Sequence, residues 1–252
     1  MTHALPGAHR DRPRSDAVPH PRRGLLHRGR PASRWLIRRW YDVRVHNAER
    51  FPKAGPVVVA ANHVGFVDGP LLAIFAPRPV HALTKEEMFV GPLGGFLRAA
   101  GQIPLQRRWV DPRAVRTSLR VLREGGAVGV FPEGSRGAGE LRRFHRGAAY
   151  LGMVGGAPVV PITFLGTREP GGTSGSLPGR RARIDIVVGE PITLPATGWP
   201  RKKTEVARRS LLLRDHMLHE LRRAKAETGR ELPGPLSEGD FEPLPGNLLE
   251  GH

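Results

Sequence analysis

Short apolar runs, many of them β-branched, recur along the middle of the chain and predict buried β-strands. The clearest run is Val57-Val58-Val59, which lies between Pro56 and a polar turn that begins at Asn62. In another run Ile184, Ile186 and Val188 alternate with other residues, which is typical of a strand. The predicted strands cover residues 56–62, 80–84, 103–105, 127–131, 158–165 and 183–188.

Segments with helical periodicity separate these strands. Val115, Leu119 and Leu122 are spaced as on one helix face, and Asp111-Pro112 before them is typical of an N-cap followed by proline in the first turn. The predicted helices cover residues 33–41, 69–76, 96–99, 111–124, part of 144–152 and 201–227. Because strands alternate with helices, the sequence predicts a single α/β domain with a mostly parallel, mixed sheet flanked by helices.

The two ends of the chain differ in composition from the middle. Residues 1–30 are rich in arginine, proline and histidine and lack the apolar stretch of a secretory signal, so we expect a disordered basic arm. After Gly229 the chain is acidic and rich in glycine and proline, so residues 229–252 are expected to be a disordered acidic tail. The folded domain is therefore expected to cover residues 31–228. No apolar run approaches the roughly 20 residues of a membrane-spanning helix.

Charge and composition narrow the classes of partner. The 252 residues carry a formal net charge of +17, which favours an anionic partner such as nucleic acid, anionic lipid or a phosphorylated substrate. The absence of cysteine excludes a thiol nucleophile, disulfides and thiolate metal sites. In the segment 33–41, arginines interleave with Trp35, Ile37 and Trp40. This pattern fits a basic amphipathic helix at a membrane interface or a first helix packed on the domain, and both can hold together.

His63 and Asp68 are the first candidates for catalysis. His63 leaves the end of the first predicted strand, and Asp68 begins the next helix. The turn between them lets the carboxylate fold back onto the imidazole and fix its tautomer, so that the other ring nitrogen can take a proton from a hydroxyl. The alternative is an ordinary strand-end histidine and an ordinary N-cap. Asn62 could donate to an oxyanion or satisfy backbone groups at the strand end, and we favour the second.

Other polar residues also follow predicted strands: Lys85, Arg107 and Glu133. Sites in parallel sheets form at the carboxyl ends of strands, so these groups and His63 are expected at one edge of the sheet. Guanidinium groups bind phosphate in a bidentate manner, and a carboxylate can accept from a glycerol-like hydroxyl. The following residues, Gly134, Ser135 and Arg136, could hold an oxyanion or a phosphate. Surface arginines and a plain turn remain the alternatives.

Four blocks of the chain together resemble the glycerolipid acyltransferases, and the bacterial 1-acylglycerol-3-phosphate acyltransferases in particular. The blocks are Asn62-His63-x4-Asp68, Gly101-x-Ile103-Pro104-Leu105-x-Arg107, Phe131-Pro132-Glu133-Gly134-Ser135-Arg136 and Val160-Pro161-Ile162. The resemblance covers roughly residues 50–190 and implies a glycerol-phosphate acyltransferase-like fold. It also implies transfer of a fatty acyl group from acyl-CoA or acyl carrier protein to the free hydroxyl of a lysophosphatidic acid, giving phosphatidic acid.

The same resemblance implies roles for individual residues. His63 would be the general base and Asp68 its orienting partner. The glycerol phosphate would be held by Lys85, Arg107, Glu133, Gly134, Ser135 and Arg136, while Pro161 would lie on the acyl side. No metal and no cofactor are expected beyond the acyl thioester. Relatives often carry an acid where this chain has Gln106, and threonine where it has Ser135, which leaves the choice of acceptor more open.

The expected partners are a lysophospholipid, an acyl thioester, an anionic membrane surface and, as one donor, acyl carrier protein. The expected location is the cytoplasm, at the inner face of the cell membrane. One alternative keeps acyl transfer and changes the acceptor to another lysophospholipid or a glycolipid. A second alternative is a basic nucleic-acid-binding protein, but the usual recognition motifs are absent. A serine hydrolase ranks last because the chain lacks Gly-x-Ser-x-Gly.

Overall fold

The computed structural model describes residues 13–195, 201–237 and 240. Within them, one mixed sheet has the order β1-β7-β6-β2-β5-β3-β4. Strands β2 to β6 run parallel, β7 runs antiparallel to β6, and β1 pairs in parallel with β7. The strands are β1 Asp42–His46, β2 Val57–Ala61, β3 Val80–Lys85, β4 Ile103–Leu105, β5 Ala127–Val130, β6 Val159–Leu165 and β7 Arg183–Val188. The predicted α/β class and mostly parallel sheet are confirmed.

The helices connect these strands and cover the sheet. They are α1 Gly24–Arg28, α2 Arg30–Trp40, α3 Asp68–Phe75, α4 Gly91–Ala99, α5 Pro112–Arg123, α6 Gly147–Gly155 and α7 Lys203–Thr228. The predicted cap of α5 is confirmed, because the Asp111 carboxylate accepts from the backbone N–H of Ala114 at 2.9 Å. Among the described residues, none of the helices combines the length and apolar character needed to span a bilayer.

Strand β2 lies at the centre of the sheet, and this position explains why its sequence is apolar. Both of its faces are covered, and all five residues are 0% exposed. Val58 and Ala60 pack with residues of α5, α6 and α7, whereas Val57 and Val59 pack with residues of α3 on the other face. A strand that is buried on both faces has no polar side to present, so its sequence is a continuous apolar run.

The expectation of a disordered basic arm is wrong for residues 13–30. Ser15 is buried and accepts a hydrogen bond from Arg123, and Leu26 of α1 is also buried. Arg30 Nε donates to the carbonyl of Ile74, near the end of α3, at 3.0 Å. The arm is therefore fixed to the domain by a hydrogen bond from Arg123 and by one from its own Arg30, which composition alone does not indicate. Residues 1–12 lie outside the described part of the chain.

The expectation of a disordered tail is also wrong for residues 229–237 and 240. Leu232 packs against Leu165 and Ala224, and the carbonyls of Gly234 and Pro235 accept hydrogen bonds from Arg168. This C-terminal segment therefore returns to the loop that follows β6. The rest of the predicted tail, residues 238–239 and 241–252, lies outside the described part of the chain.

Helix α2 confirms that the segment 33–41 contains a first helix packed on the domain, whereas its binding to a membrane interface stays a prediction. Ile37 packs against the cluster around α3, and Arg34 Nε donates to the carbonyl of Ile74 at 2.8 Å. Trp35 and Trp40 remain 66% and 55% exposed. The helix is therefore fixed to the domain along one side and presents tryptophan on another.

Candidate active site

The predicted site residues lie at one edge of the sheet. His63, Lys85, Arg107 and Glu133 are at or just beyond the ends of β2, β3, β4 and β5, and these strands run parallel. Their carboxyl ends therefore open to the same side. This confirms the expected placement at one sheet edge, while the role of each side chain depends on what it contacts.

His63 and Asp68 form a close pair. His63 Nδ1 lies 2.9 Å from Asp68 Oδ2, and the same oxygen accepts from the backbone N–H groups of Val64 and Gly65 at 2.7 and 2.9 Å. An ionised carboxylate only accepts, so Nδ1 carries the proton and Nε2 keeps its lone pair. Asp68 is the first residue of α3 and makes no cap bond, so its carboxylate faces the turn instead. The ordinary N-cap alternative is therefore wrong.

Burial differs between the two members of the pair. The Asp68 side chain is 0% exposed, whereas the His63 side chain is 17% exposed. Phe131 stacks on the imidazole, with 4.2 Å between ring centroids and an interplanar angle of 27°. The aromatic contact and the carboxylate together hold the ring while part of it remains accessible, as a general base that acts on a bound substrate requires.

Glu133 faces inward rather than towards an acceptor. Its Oε1 accepts from the backbone N–H of His63 at 2.8 Å, and the backbone of Leu141 also donates to this carboxyl group. Glu133 is 7% exposed, and burial raises its pKa to about 7. The expectation that Glu133 binds the glycerol phosphate is therefore not supported by its contacts, because its carboxyl group instead braces the strand end that carries His63.

Three cationic side chains share the space beside this pair. Burial and, to a smaller extent, the charges of Arg107 and Arg136 lower the pKa of Lys85 to about 8. Arg107 Nη1 donates to the carbonyl of Gly134 at 2.9 Å, and Arg136 Nη1 donates to the carbonyl of Ser174 at 2.8 Å. The structure thus brings together the three cationic side chains that were expected, from the sequence, to bind the phosphate of the acceptor. We call Lys85, Arg107 and Arg136 the cation cluster.

Gly134 and Ser135 lie in the turn after β5. Gly134 has φ +71°, and a Cβ atom there would lie 2.7 Å from Nε2 of His145. Its carbonyl accepts from Arg107, so the glycine lets the turn approach His145 while it anchors one cation. Ser135 is partly buried next to it.

Asn62 and Pro161 make contacts within the sheet and its backbone rather than with the open site. Both amide atoms of Asn62 bond to the backbone of Phe164, with Nδ2 donating at 3.1 Å and Oδ1 accepting at 2.7 Å. The preferred backbone role of Asn62 is confirmed. Pro161 is buried inside β6 opposite Ala60, and its carbonyl accepts from Gly189 just beyond β7. This core position offers no surface to an acyl chain, so the acyl-side prediction for Pro161 is not supported.

The sequence did not identify Phe131, His145 or Arg168 as site residues. Phe131 lies inside one of the quoted blocks, but its stacking on His63 depends on two adjacent strands. His145 and Arg168 lie outside the blocks, and Arg168 is in a glycine- and serine-rich loop that gives no signal. Their contacts with the site are made only by the folded chain.

The chain is similar in sequence to known acyltransferases. The sequence model of the acyltransferase family matches residues 42–165. The chain is 31% identical over 152 residues to the 1-acyl-sn-glycerol-3-phosphate acyltransferase of Bacillus subtilis, covering 60% of this chain and 73% of that protein. It is 30% identical over 159 residues to the human 1-acyl-sn-glycerol-3-phosphate acyltransferase beta, covering 57% of each chain.

A solved structure is also similar. The crystal structure of the 1-acyl-sn-glycerophosphate acyltransferase PlsC from Thermotoga maritima superposes with a TM-score of 0.60 and 25% identity. The match covers 82% of this chain and 79% of that chain. The coverage is lower for a chloroplastic 1-acyl-sn-glycerol-3-phosphate acyltransferase of Arabidopsis thaliana, of which this chain spans 44%. On the strength of the shared sequence and fold, this chain belongs to the acyltransferase family.

Proposed function

We propose that this protein transfers a fatty acyl group from an acyl thioester to the free hydroxyl of 1-acylglycerol-3-phosphate, with phosphatidic acid as the product. The observation that carries the proposal is the position of the His63–Asp68 pair beside the cation cluster. A base for a hydroxyl and a binding site for a phosphate then lie at one edge of the sheet. The names of the relatives identify the acceptor that combines these two groups in one molecule.

The chemistry follows from the tautomer of His63. The acceptor hydroxyl gives its proton to Nε2 as its oxygen attacks the thioester carbonyl. Asp68 holds the ring and stabilises the imidazolium that forms. The tetrahedral intermediate then collapses, the carbon–sulfur bond breaks, and the proton passes from Nε2 to the leaving thiolate. The acyl group has moved from sulfur to oxygen, and the enzyme has returned to its starting state. The step needs no metal or organic cofactor, because the thioester is already activated.

The cation cluster is the proposed phosphate site. Guanidinium groups match the geometry of phosphate oxygens, and an ammonium adds a point charge. Each member is partly buried, which strengthens its interaction with an anion compared with a fully solvated side chain. The donor is proposed to be acyl-CoA or acyl carrier protein. The net charge of +17 favours either one, since both are anionic.

We also propose that the protein works at the inner face of the cell membrane, to which it binds peripherally. Trp35, Leu36 and Trp40 of α2 are all more than half exposed. Arginines accompany them, and a groove of about 770 Å³ between α2 and the segment before β7 is lined by Trp35, Leu36, Arg38, Arg39, Trp40, Tyr41, Asp42, Val43, Arg180 and Arg181. Tryptophan together with arginine suits the headgroup region of an anionic membrane.

The test of the proposed function is acyl transfer to lysophosphatidic acid, assayed in mixed vesicles with a long-chain acyl-CoA and, separately, with acyl carrier protein thioester. Wild type is compared with His63→Ala and with His46→Ala. His46 is a matched control, because its Nε2 lies 2.7 Å from Asp185 Oδ1 but it ends β1, at the opposite edge of the sheet.

We expect turnover in wild type and in His46→Ala, and a loss of about 10²- to 10⁴-fold in His63→Ala. Activity that survives His63→Ala would overturn the mechanism. Transfer to another lysophospholipid but not to lysophosphatidic acid would overturn the acceptor and keep the reaction.

A further inference from the structure

Arg168 connects the segments that surround the catalytic pair. It follows β6 closely and is 2% exposed. Its Nε donates to the carbonyl of Val64 at 2.9 Å, and its Nη2 donates to the carbonyls of Gly137 and Gly234 at 3.0 and 2.6 Å. Nη1 donates to the carbonyls of Gly172 and Pro235 at 2.9 and 3.4 Å. One guanidinium therefore joins the His63 turn, the loop after β5, its own loop and the C-terminal segment.

The bond to Val64 acts directly on the geometry of the pair. The N–H of Val64 donates to Asp68 Oδ2 at 2.7 Å, while its carbonyl accepts from Arg168. Gly137, which accepts from the same guanidinium, donates its N–H to the carbonyl of His63 at 2.9 Å. The turn is thus held on two sides by contacts that meet at Arg168. If the side chain were lost, the peptide that aims the Asp68 carboxylate would lose a fixed partner.

Charge supports the same role. Asp68 is fully buried, and its Oδ1 has no hydrogen-bond partner among the described residues. A buried carboxylate is stable as an anion only when cations or donors compensate for its lost hydration. Burial lowers the pKa of Arg168, and the negative charges of Asp240 and Asp68 partly offset this effect, so the guanidinium lies within electrostatic reach of Asp68. Arg136 experiences the charge of Asp68 as well.

We infer that Arg168 is a positioning residue that holds the His63 turn and balances the charge of Asp68, so that the pair keeps its reactive geometry. This inference rests on the proposed function. It also assigns a purpose to the C-terminal segment, because Gly234 and Pro235 occupy two of the five carbonyl contacts and help to fix the guanidinium. Arg168 itself does not take part in the proton transfer.

A purely structural role would be to join loops without any effect on catalysis. Arg78 is a matched control for this alternative. Its guanidinium also donates to three carbonyls, those of Pro52, Gly55 and Gly125, at 3.2, 2.8 and 2.6 Å. These carbonyls precede β2 and β5, so Arg78 joins loops at the opposite edge of the sheet.

The experiment compares Arg168→Met, Arg168→Lys and Arg78→Met with wild type in the full chain. Methionine keeps an unbranched side chain but removes both the donors and the charge, whereas lysine keeps the charge and loses the planar fork. Thermal unfolding, kcat, and KM for acceptor and donor are measured for each variant. The low-field proton NMR signal of the His63 Nδ1–H bond to Asp68 is recorded as a readout that does not depend on turnover.

We expect Arg168→Met to lower kcat by about 100-fold with KM changed by less than about threefold, because a small misplacement of a catalytic group has an effect of that size. Arg168→Lys should recover part of the loss. Arg78→Met should lower the unfolding temperature and leave kcat within about threefold of wild type. The His63 proton signal should disappear or shift only in Arg168→Met.

Equal kcat in Arg168→Met and Arg78→Met, with an unchanged His63 signal, would overturn the positioning role. A rise in KM at constant kcat would overturn it too, since Arg168 would then contribute to substrate binding. Absence of turnover in wild type would instead overturn the proposed function. The NMR comparison would still decide the role of Arg168 in that case.

Discussion

The carboxyl group of Glu133 accepts a hydrogen bond of 2.8 Å from the backbone N–H of His63, although 70 residues separate the two along the chain. Strands β2 and β5 are neighbours, with Ala60 opposite Val130, so the residues that follow these strands meet directly. The sequence block that contains His63 and the block that contains Glu133 are therefore in direct contact. Through this hydrogen bond Glu133 supports the strand end that carries the base. The protonation state of Glu133 also affects the stability of the folded protein.

Glu133→Gln should stabilise the protein at alkaline pH. Burial raises the pKa of Glu133 from 4.5 to about 7. The protonated Glu133 carboxyl group therefore makes its full contribution to the free energy of unfolding below about pH 4.5. This contribution is lost as the pH rises through 7. Glutamine stays neutral and can still accept from His63, so the variant should exceed wild type by up to roughly 3 kcal/mol near pH 8.5.

Urea unfolding at pH 5 and pH 8.5 measures this difference. The exposed Glu169 provides a control, and Glu169→Gln should change the unfolding free energy little at either pH. A gap between Glu133→Gln and wild type that is the same at both pH values would contradict the proposed burial of the charge.

Asp68→Asn should fold but lose activity. The amide oxygen can still accept from the N–H groups of Val64 and Gly65, which preserves the turn. The negative charge that stabilises the imidazolium of His63 would be absent, and the ring tautomer would no longer be fixed. We expect kcat to fall by about 10²- to 10⁴-fold with a small change in KM. Steady-state kinetics and circular dichroism check this, and a variant within a few-fold of wild type would argue against an orienting role.

Binding of the phosphorylated acceptor should weaken as the pH rises through about 8. The pKa of Lys85 is lowered to about 8 by burial and by Arg107 and Arg136, so Lys85 loses its charge above that pH. KM for lysophosphatidic acid should rise in wild type from pH 7 to pH 9. In Lys85→Arg the guanidinium remains charged, so this dependence should disappear. The same pH dependence in both proteins would remove Lys85 from the phosphate site.

Gly134→Ala should destabilise the protein by more than the strain of a positive φ angle alone. Gly134 has φ +71°, and its added Cβ would meet Nε2 of His145 at 2.7 Å. Gly171 has φ +73° with no atom within 4 Å of the corresponding Cβ position, so Gly171→Ala carries only the backbone strain of about 1 kcal/mol. Denaturant titration should show a larger loss for Gly134→Ala. Equal losses would mean that His145 moves aside without cost.

Replacement of the exposed tryptophans of α2 should weaken membrane binding. Trp35→Ser with Trp40→Ser removes two large side chains that are more than half exposed, so the fold should be little affected. We expect binding to vesicles with anionic lipid to fall by about tenfold or more. Leu211→Ser, at a site 60% exposed on α7, is the control and should bind as wild type does. Sedimentation with vesicles measures this, and unchanged binding of the double variant would locate the membrane contact elsewhere.

Local sequence determined the parts of the fold that depend on neighbouring residues. The apolar run of β2 predicts a strand buried on both faces, and the Asp111-Pro112 pair predicts the start of α5. The spacing of His63 and Asp68 predicts their contact, because both belong to one short turn between a strand and a helix. Strand ends in a parallel sheet share an edge, which predicts that Lys85 and Arg107 lie near the pair.

The tertiary structure decided what those side chains contact. Glu133 faces the backbone of His63, Asn62 bonds to Phe164, and Arg168 reaches Val64 and Gly234, and each contact joins residues 66 or more positions apart. The polar ends of the chain, expected to be disordered, are ordered where arginines bind backbone carbonyls of other segments. Composition and periodicity record only local preference, whereas these contacts exist only after the strands have paired and the helices have packed.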